Sequence, residues 1–437
     1  MDMNYSRGFT SFLFMVLVVG FLVLGAGWWV AHSPGMLAAA SGKPTGSLTM
    51  KYAISLNTGY WNTAHSVTVI DTTNKNRVVR TLSMPSQPYS AAVTPDGASA
   101  YITAMNPEAL YRLDFKTLVL SKIDLGPVES AVNAYRDVEV TPDGTYVAMT
   151  DFKQSTVYFL NAQTGQLVKK LSLYTTADGT QAHPWQSNTW VTFSSDSKYA
   201  YAEDSWNGLL YQIDLATFTP EKNLPLIMTG NSALGRDIRY NPVTGYVYAT
   251  NNCWDKTVDP LCYTLRLFDF TAMTTKDSVR YEDKEPADLA LLPSGELVVS
   301  DIDGSGPNGA AASTTLRFMD PVTLAETSTS ATGQYINRQW LHPTNNTVWA
   351  ISGGVDVFDL TTRQLVKHLN VVPEMSGQPA FSQDGKYYYV PEYQSNKTSP
   401  AGRIIAINTQ TYAVSYINVG TYPTGVFTQG SPHFTAP

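Results

Sequence analysis

Length, charge and composition already narrow the classes of function. The sequence has 437 residues and a net charge of -7, with 15% charged and 12% aromatic residues. A nucleic-acid partner is not expected, because neutralising phosphates requires clustered Lys and Arg, and no basic patch is visible.

The first predicted element is a membrane segment. Phe12–Val30 is apolar throughout, and no Asp, Glu, Lys or Arg occurs from Gly8 to Gly42. At about 1.5 Å per residue this stretch spans a hydrocarbon layer of roughly 30 Å. We therefore expect a short cytoplasmic tail at residues 1–8 and a single-pass transmembrane helix at 9–31, with the rest of the chain on the periplasmic or extracellular side. A cleaved signal peptide is the alternative, because small residues follow at Leu37–Ala40.

A linker is predicted at residues 32–47, a repeat domain at 48–430 and a short tail at 431–437. The repeat is a strand, a tight turn and a second strand, and its clearest copy is Ala91–Thr103 (AAVTPDGASAYIT). Six further copies are Glu139–Thr150, Phe193–Asp204, Tyr240–Thr250, Leu291–Ser300, Leu341–Ser352 and Phe381–Glu392. A third strand ending in Asp or Asn recurs eight times, at Asp71, Asp114, Asn161, Asp214, Asp269, Asp320, Asp359 and Asn408.

The spacing of these units predicts an all-β fold, an eight-bladed β-propeller. Successive turns lie about 40 to 53 residues apart, which is the size of a four-stranded propeller blade. Seven blades are complete, whereas the three strands that begin at Leu48 lack a first strand. We expect Thr421–Gly430 to pair beside Leu48–Asn57 and to close the ring with an eighth blade made from both ends of the domain. Seven blades are the alternative, if one interval is an insertion.

Two recurring positions are predicted to be structural. The first is mostly aromatic and follows each turn by six residues, as expected of a contact between blades: Tyr101, Ala148, Tyr201, Tyr248, Val299, Trp349 and Tyr389. The second is the Asp or Asn that ends each third strand. A Thr follows it by three residues in most copies, a pattern typical of a side chain that caps a turn.

The repeat resembles the YVTN-type propeller family. Pro88–Thr103 with Leu110–Asp114, and Val138–Thr150 with Val157–Asn161, carry the resemblance. It implies a β-propeller of the broad class that includes surface-layer propellers and the propeller subunits of periplasmic amine dehydrogenases, and it implies little about the reaction. The sequence contains no C-x-x-C-H, G-x-S-x-G or H-E-x-x-H motif.

Only two cysteines occur, Cys253 and Cys262. They flank a loop between two predicted strands, so a disulfide is predicted for an oxidising compartment. A free buried pair is the alternative.

Charged residues are expected to converge where the first strands begin. Asp137, Asp237, Asp288 and Arg338 stand five residues before their turns, and Arg136 and Arg236 precede two of the aspartates. One interpretation is a ligand or cation site, since carboxylates from several blades are ligands that Ca²⁺ prefers. The other is that Arg and Asp pair with each other, as buried charges generally must. No other cofactor is evident.

An aromatic rim is the last candidate. Trp61, Trp206 and Trp254 follow second strands, and if exposed they would suit contact with a protein or a glycan. As core residues they would need no such role.

These features support three hypotheses. The first is a membrane-anchored propeller with protein partners, acting as a scaffold or accessory subunit of a larger assembly. The second is the propeller subunit of a periplasmic redox complex similar to amine dehydrogenases, with the redox centre on another chain. The third is a divalent-cation-dependent, lactonase-like hydrolase that uses the charged funnel.

Overall fold

The computed structural model describes most of the repeat domain. It covers residues 51–59, 64–125, 135–151, 155–173, 190–204, 208–226, 237–251, 264–278, 284–303, 315–332, 336, 338–371, 377–392 and 402–429. Within these ranges there is no helix that is long and apolar enough to cross a membrane. The predicted anchor and linker lie in residues 1–50, outside the described ranges.

The described strands form eight antiparallel sheets of four strands, and each sheet is one blade of a β-propeller. Blade 1 contains β1 (Tyr52–Asn57), β2 (His65–Asp71), β3 (Arg77–Met84) and β32 (Pro423–Phe427). Blade 2 contains β4 (Gln87–Val93), β5 (Ser99–Met105), β6 (Ala109–Asp114) and β7 (Val119–Ile123). Blade 3 contains β8 (Tyr135–Val140), β9 (Tyr146–Asp151), β10 (Thr156–Asn161) and β11 (Leu167–Ser172). Blade 4 contains β12 (Val191–Phe193), β13 (Tyr199–Asp204), β14 (Leu209–Asp214) and β15 (Thr219–Pro225).

The other four blades repeat this order. Blade 5 contains β16 (Ile238–Tyr240), β17 (Val247–Asn251), β18 (Thr264–Asp269) and β19 (Thr274–Asp277). Blade 6 contains β20 (Lys284–Leu291), β21 (Leu297–Asp303), β22 (Thr315–Met319) and β23 (Glu326–Ala331). Blade 7 contains β24 (Arg338–Leu341), β25 (Thr347–Ile351), β26 (Val355–Asp359) and β27 (Gln364–Leu369). Blade 8 contains β28 (Ala380–Phe381), β29 (Tyr387–Glu392), β30 (Gly402–Asn408) and β31 (Val414–Val419).

The turn between the first and second strands shows why the Pro-Asp-Gly sequence recurs. In blade 3 the amide of Gly144 donates to the carbonyl of Thr141 at 2.8 Å. Gly144 has a φ of 73°, a left-handed conformation that glycine adopts without steric cost. Asp143 accepts the amide of Thr145 at 2.9 Å and so closes the turn.

The turn between the third and fourth strands is capped as predicted. Asp114 accepts the backbone amides of Lys116 at 3.0 Å and Thr117 at 2.8 Å, and also the hydroxyl of Thr117 at 2.9 Å. Asp320 and Asp359 make the same three contacts with their own turns. In each of these side chains one carboxylate oxygen caps the turn, which explains the recurrence of the residue without any chemical role.

Both ends of the domain build blade 1, which confirms the predicted closure and makes the seven-bladed alternative wrong. β32 pairs antiparallel with β1, with Ile54 opposite Phe427. β32 also contacts blade 8 through two backbone hydrogen bonds. The backbone amide of Gln378 donates to the carbonyl of Thr424 at 2.9 Å, and the backbone carbonyl of Gln378 accepts the amide of Val426 at 2.7 Å. The last strand of the domain therefore joins the first blade to the eighth.

The recurring aromatic position joins neighbouring blades. The hydroxyl of Tyr101 in blade 2 donates to the carbonyl of Ala162 in blade 3 at 2.8 Å. The hydroxyl of Tyr248 donates to the carbonyl of Pro321 in blade 6, and that of Tyr389 donates to the side-chain Oδ1 of Asn76 in blade 1.

In blade 6 the prediction of Val299 for this position is wrong by one residue. Val298 lies opposite Ala290 and packs toward blade 7, whereas Val299 packs toward blade 5. The cause is a shorter turn: the amide of Leu292 bonds to the carbonyl of Glu296, four residues on, whereas Thr94 in blade 2 bonds to Ser99, five residues on.

The two faces of the propeller differ in the length of their connections. On the turn face, four to six residues join first strands to second strands and third strands to fourth strands. On the loop face, the connections join second strands to third strands and fourth strands to the next blade, and the longest, residues 173–190, has 18 residues. The described chain enters the propeller at Lys51, just before β1. β1 is the second strand of blade 1, and second strands begin at the turn face, so the chain enters there.

Candidate functional site at the innermost strands

Asp137, Asp237 and Asp288 occupy one equivalent position near the propeller axis. They lie at the first strands of blades 3, 5 and 6, and each is at most 3% exposed. In blades 2 and 6 a β-bulge immediately precedes this position, between Pro88 and Ser90 and between Pro286 and Asp288. In blade 3 the irregular pairing between Tyr135 and Val138 includes Asp137. Such a bulge changes the direction of a side chain beside it.

Each of the three carboxylates accepts a backbone amide from the first strand of the next blade. Asp137 accepts the amide of Val191 at 3.3 Å. Asp237 accepts the amide of Leu289 at 3.2 Å. Asp288 accepts the amide of Gln339 at 2.9 Å. Edge amides of the innermost strands have no strand partner on the axis side, so these carboxylates join blade 3 to 4, 5 to 6 and 6 to 7.

The junction between blades 7 and 8 lacks such a carboxylate and does not need one. Arg338 holds the equivalent position in blade 7, and a guanidinium group has no acceptor to offer. The residue of blade 8 that would present its amide is Pro379, which has no N–H. Positions 338 and 379 lie about 40 residues apart. The first offers no acceptor and the second has no N–H that would need one.

Guanidinium groups accompany two of the three carboxylates. The Nε–H of Arg239 donates to Asp237 Oδ2 at 3.1 Å, and Arg239 Nη2 lies 3.1 Å from the same oxygen. Arg338 Nη1 lies 3.9 Å from Asp288 Oδ1. The described side chains thus include two Arg–Asp pairs, as the pairing interpretation expects. The side chain of Arg136 and the whole of Arg236 lie outside the described part of the chain.

Burial sets the protonation of this cluster. Removal from water raises the pKa of Asp137 to about 7, against the lowering effect of its two backbone hydrogen bonds. Burial likewise raises the pKa of Asp237 to about 7, although Arg239 acts in the opposite direction. Glu139 has a pKa well above its usual value, because it is buried and lies near Asp137. Asp137, Asp237 and Glu139 therefore keep their protons to a higher pH than exposed carboxyl groups do.

Sequence reasoning missed four residues of this region. Glu139 and Arg239 follow Asp137 and Asp237 by two residues, so the period of two in a strand places each on the same face as its aspartate. That spacing could have revealed them. The other two are threonines of second strands: the hydroxyl of Thr150 accepts the backbone amide of Asp137 at 3.1 Å, and that of Thr250 accepts the backbone amide of Asp237 at 3.0 Å.

The cation interpretation has less support than the pairing interpretation. Among the described residues, no group of three or more His, Cys, Asp or Glu side chains could hold a metal ion. The aspartates that were candidates for Ca²⁺ are engaged with amides and guanidinium groups. Their described contacts fit a structural role in joining blades.

The other predicted site residues are located by chain position alone. Trp61, Trp206 and Trp254 fall in connections between second and third strands of blades 1, 4 and 5, which belong to the loop face. Cys253 and Cys262 fall in the same connection as Trp254. All five lie outside the described ranges, and the disulfide stays a prediction.

Comparison with known proteins identifies the fold and no family. The sequence matches no known protein family and no curated protein. Among solved structures, the dihydro-heme d1 dehydrogenase NirN in complex with DHE is similar, with a TM-score of 0.67 and 15% identity over 87% of this chain and 76% of NirN. The Dos1 propeller is similar with a TM-score of 0.55 and 12% identity, over 78% of this chain and 86% of that one. At these identities the likeness shows the eight-bladed propeller fold alone.

Proposed function

We propose that this protein is a membrane-anchored, extracytoplasmic propeller that acts as a protein-interaction or accessory subunit of a larger assembly and binds its partner through the loop face. The observation that carries the proposal is the difference between the two faces. The described turns of the turn face are short, and many are closed by their own hydrogen bonds, as at Asp114 and Gly144. Long connections occur only on the loop face, and binding residues concentrate on such loops.

The chemistry near the axis supports binding rather than catalysis. The three aspartates are used to join blades, as their contacts with Val191, Leu289 and Gln339 show. A scaffold needs this rigidity, because it presents loops from a fixed frame. The Trp residues of the loop-face connections are the side chains most often responsible for interface energy.

A redox assembly is the second candidate. The propeller resembles in fold a protein named as a dihydro-heme d1 dehydrogenase, over 87% of this chain. A propeller subunit of a periplasmic redox complex would place the redox centre on a partner chain. The proteins that copurify with this chain would therefore carry heme or another redox group.

The test is site-specific photo-crosslinking of the full chain in its native membrane. A photoreactive residue replaces Ala64 or Pro85, both exposed on the loop face, or Lys116, exposed on the turn face. We expect stoichiometric cross-links to another protein from the loop-face positions and none from Lys116. Mass spectrometry identifies the cross-linked partner, and its absorbance spectrum shows whether it carries heme or another redox group. A redox group on the partner favours the redox assembly over the other kinds of assembly. Cross-links confined to Lys116, or no partner at any position, would overturn the proposal.

A further inference from the structure

The inner end of the junction between blades 7 and 8 has hydrogen-bond donors where three other junctions have an acceptor. The junctions from blade 3 to 4, 5 to 6 and 6 to 7 each contain an aspartate side chain that accepts a backbone amide. Between blades 7 and 8 the same strand position holds Arg338, which is 7% exposed and whose guanidinium group can only donate. A buried cation therefore stands where the other three junctions have a carboxylate.

Two further donors of this junction have no partner. Trp340 follows Arg338 by two residues on β24, so the period of two in a strand places both on the same face. The Nε1–H of Trp340 and the hydroxyl of Tyr388 have no hydrogen-bond partner among the described residues, although Trp340 is 4% exposed and Tyr388 0%. Buried polar groups are nearly always hydrogen-bonded, so two unpartnered donors at one junction indicate that an acceptor binds there.

The packing of Tyr388 brings its hydroxyl toward the same region as the guanidinium group. Tyr388 of blade 8 belongs to one buried cluster with Trp340 and Trp349 of blade 7, and its ring centre lies 5.2 Å from that of Trp349. The carboxylate of Asp288 in blade 6 acts electrostatically on the Tyr388 hydroxyl. Asp288 Oδ1 in turn lies 3.9 Å from Arg338 Nη1. The hydroxyl therefore faces the innermost strands, beside Arg338.

The chemistry of the three groups selects the acceptor. Burial raises the pKa of the Tyr388 hydroxyl well above its usual value, and Asp288 acts in the same direction, so the hydroxyl keeps a proton to donate. An indole N–H and a guanidinium group can only donate. A carboxylate suits this set, because its two oxygens match a guanidinium group and its charge strengthens each hydrogen bond. The ligand must be small, since the three side chains are almost completely buried.

We propose that the inner end of the junction between blades 7 and 8 binds a small carboxylate anion through the guanidinium group of Arg338, the Nε1–H of Trp340 and the hydroxyl of Tyr388. The anion takes the place that an aspartate side chain fills in three other junctions. The backbone amide that those aspartates bind is absent here, because the corresponding residue is Pro379, so side-chain donors bind the carboxylate instead. This site is distinct from the loop-face contacts of the proposed function.

The test titrates the full chain in detergent with acetate, at an ionic strength held constant with chloride. Saturation transfer from the protein to the acetate methyl group, measured by NMR, reports binding. We expect saturable binding to the natural chain. Tyr388→Phe removes one donor and keeps the ring, so it should weaken acetate binding about tenfold, the effect of one lost hydrogen bond to a charged group. Trp340→Phe is the second variant, should the first fail to fold.

Tyr389→Phe is the matched control. The hydroxyl of Tyr389 donates to Asn76 in blade 1 at 2.7 Å, on the other side of blade 8, so its removal should leave acetate binding unchanged. Acetamide, which has a similar shape and no charge, should not compete with acetate. The proposal is overturned if the natural chain shows no saturable binding, if acetamide competes as well as another carboxylate does, or if both Tyr388→Phe and Trp340→Phe bind acetate as the natural chain does.

Discussion

At the scale of single residues, one aspartate position serves as a joint between blades. Asp137 accepts amides from its own neighbour Val138 at 3.0 Å and from Val191 in the next blade at 3.3 Å. Its described hydrogen bonds go to backbone amides, and the positive charge of Arg239 acts on its pKa as a smaller influence.

Replacing Asp137 by Ala should lower the free energy of unfolding by about 1 to 3 kcal/mol, because a buried amide loses its acceptor. Asp137→Asn should retain most of the stability, since its amide oxygen can still accept. Ser90→Ala is the matched control, because Ser90 holds the equivalent position in blade 2 and its hydroxyl has no hydrogen-bond partner among the described residues. Urea unfolding of the full chain in detergent measures all three. Equal losses for Asp137→Ala and Ser90→Ala would contradict the role of a joint.

The raised pKa of Asp137 predicts a pH dependence of stability. In the unfolded chain the carboxyl has its ordinary pKa of 3.8, and in the folded protein its pKa is about 7. From about pH 4 to pH 7 the unfolded state loses this proton while the folded state keeps it, so the contribution of Asp137 to stability falls as pH rises. Above pH 7 it should level off.

The measurement compares the natural chain with Asp137→Asn at pH 4.5, 6 and 7.5. The difference in unfolding free energy between the two proteins should decrease steadily over this range. Asp114, Asp320 and Asp359 do not interfere, because hydrogen bonds within their turns lower the pKa of each. These three groups therefore change the free energy of unfolding only at pH values below about 4. A difference that is constant or rises with pH would show that Asp137 is ionised in the folded protein.

At the scale of elements, the turn between third and fourth strands places a side chain in a costly conformation. The residue four positions after each capping Asp or Asn has a positive φ, and only one of the eight is glycine: Lys75, Leu118, Gly165, Phe218, Met273, Leu324, Arg363 and Tyr412. A left-handed conformation costs a non-glycine residue about 1 to 2 kcal/mol. Packing explains why several large residues are retained there.

Packing offsets the cost of the left-handed conformation at Phe218, whereas the side chain of Met273 is largely exposed. Phe218 is buried, and its ring centre lies 5.1 Å from that of Tyr146 and 5.2 Å from that of Phe159. Met273 is 44% exposed. The same backbone conformation is therefore offset by ring contacts in one turn and not in the other.

Glycine substitutions separate the two effects. Phe218→Gly should lower the free energy of unfolding by about 3 kcal/mol or more, since large core aromatics contribute that much. Met273→Gly should change it by less than about 1 kcal/mol, because the relief of strain offsets the greater entropy of the unfolded chain. Thermal unfolding with matched urea titrations tests the pair. A large loss for Met273→Gly would mean that its side chain makes a contact that its exposure does not indicate.

At the scale of the whole molecule, ring closure depends on one short strand. β32 has five residues, yet it supplies the first strand of blade 1 and bonds to Gln378 of blade 8. Gly377 lies against the carbonyl of Thr424 so closely that a Cβ there would overlap the oxygen. The closing joint therefore uses backbone contact where the junctions of blades 3 and 4, 5 and 6, and 6 and 7 use a carboxylate.

Truncation should show this dependence. A chain that ends at Gly420 lacks β32 and leaves β1 with an unpaired edge on the axis side, so it should lose its single cooperative unfolding transition. A chain that ends at Gly430 keeps β32 and should unfold as the full chain does. Circular dichroism during heating compares the two. Identical transitions would show that blade 1 is stable without its first strand.

Much of the architecture follows from the sequence by itself, because the forces that define it are local. Alternating apolar residues, Gly144 in its left-handed turn and Asp114 in its cap all act within about ten residues. Counting these units yields the number of blades, and the unmatched strands at the two ends predict the closure. The one error in the aromatic position, Val299 for Val298, came from a turn one residue shorter than the others.

The role of the aspartates was decided only by the tertiary structure. Asp114 and Asp137 are the same residue type at strand positions of regular repeats, yet the pKa of the first is lowered and that of the second is raised. Asp114 has its partners two and three residues away in an exposed turn, so its sequence context suffices. Asp137 has its second partner 54 residues away, in a site from which water is excluded. Which amide it meets, and how far it is removed from water, depend on how two blades pack, and no local pattern contains that information.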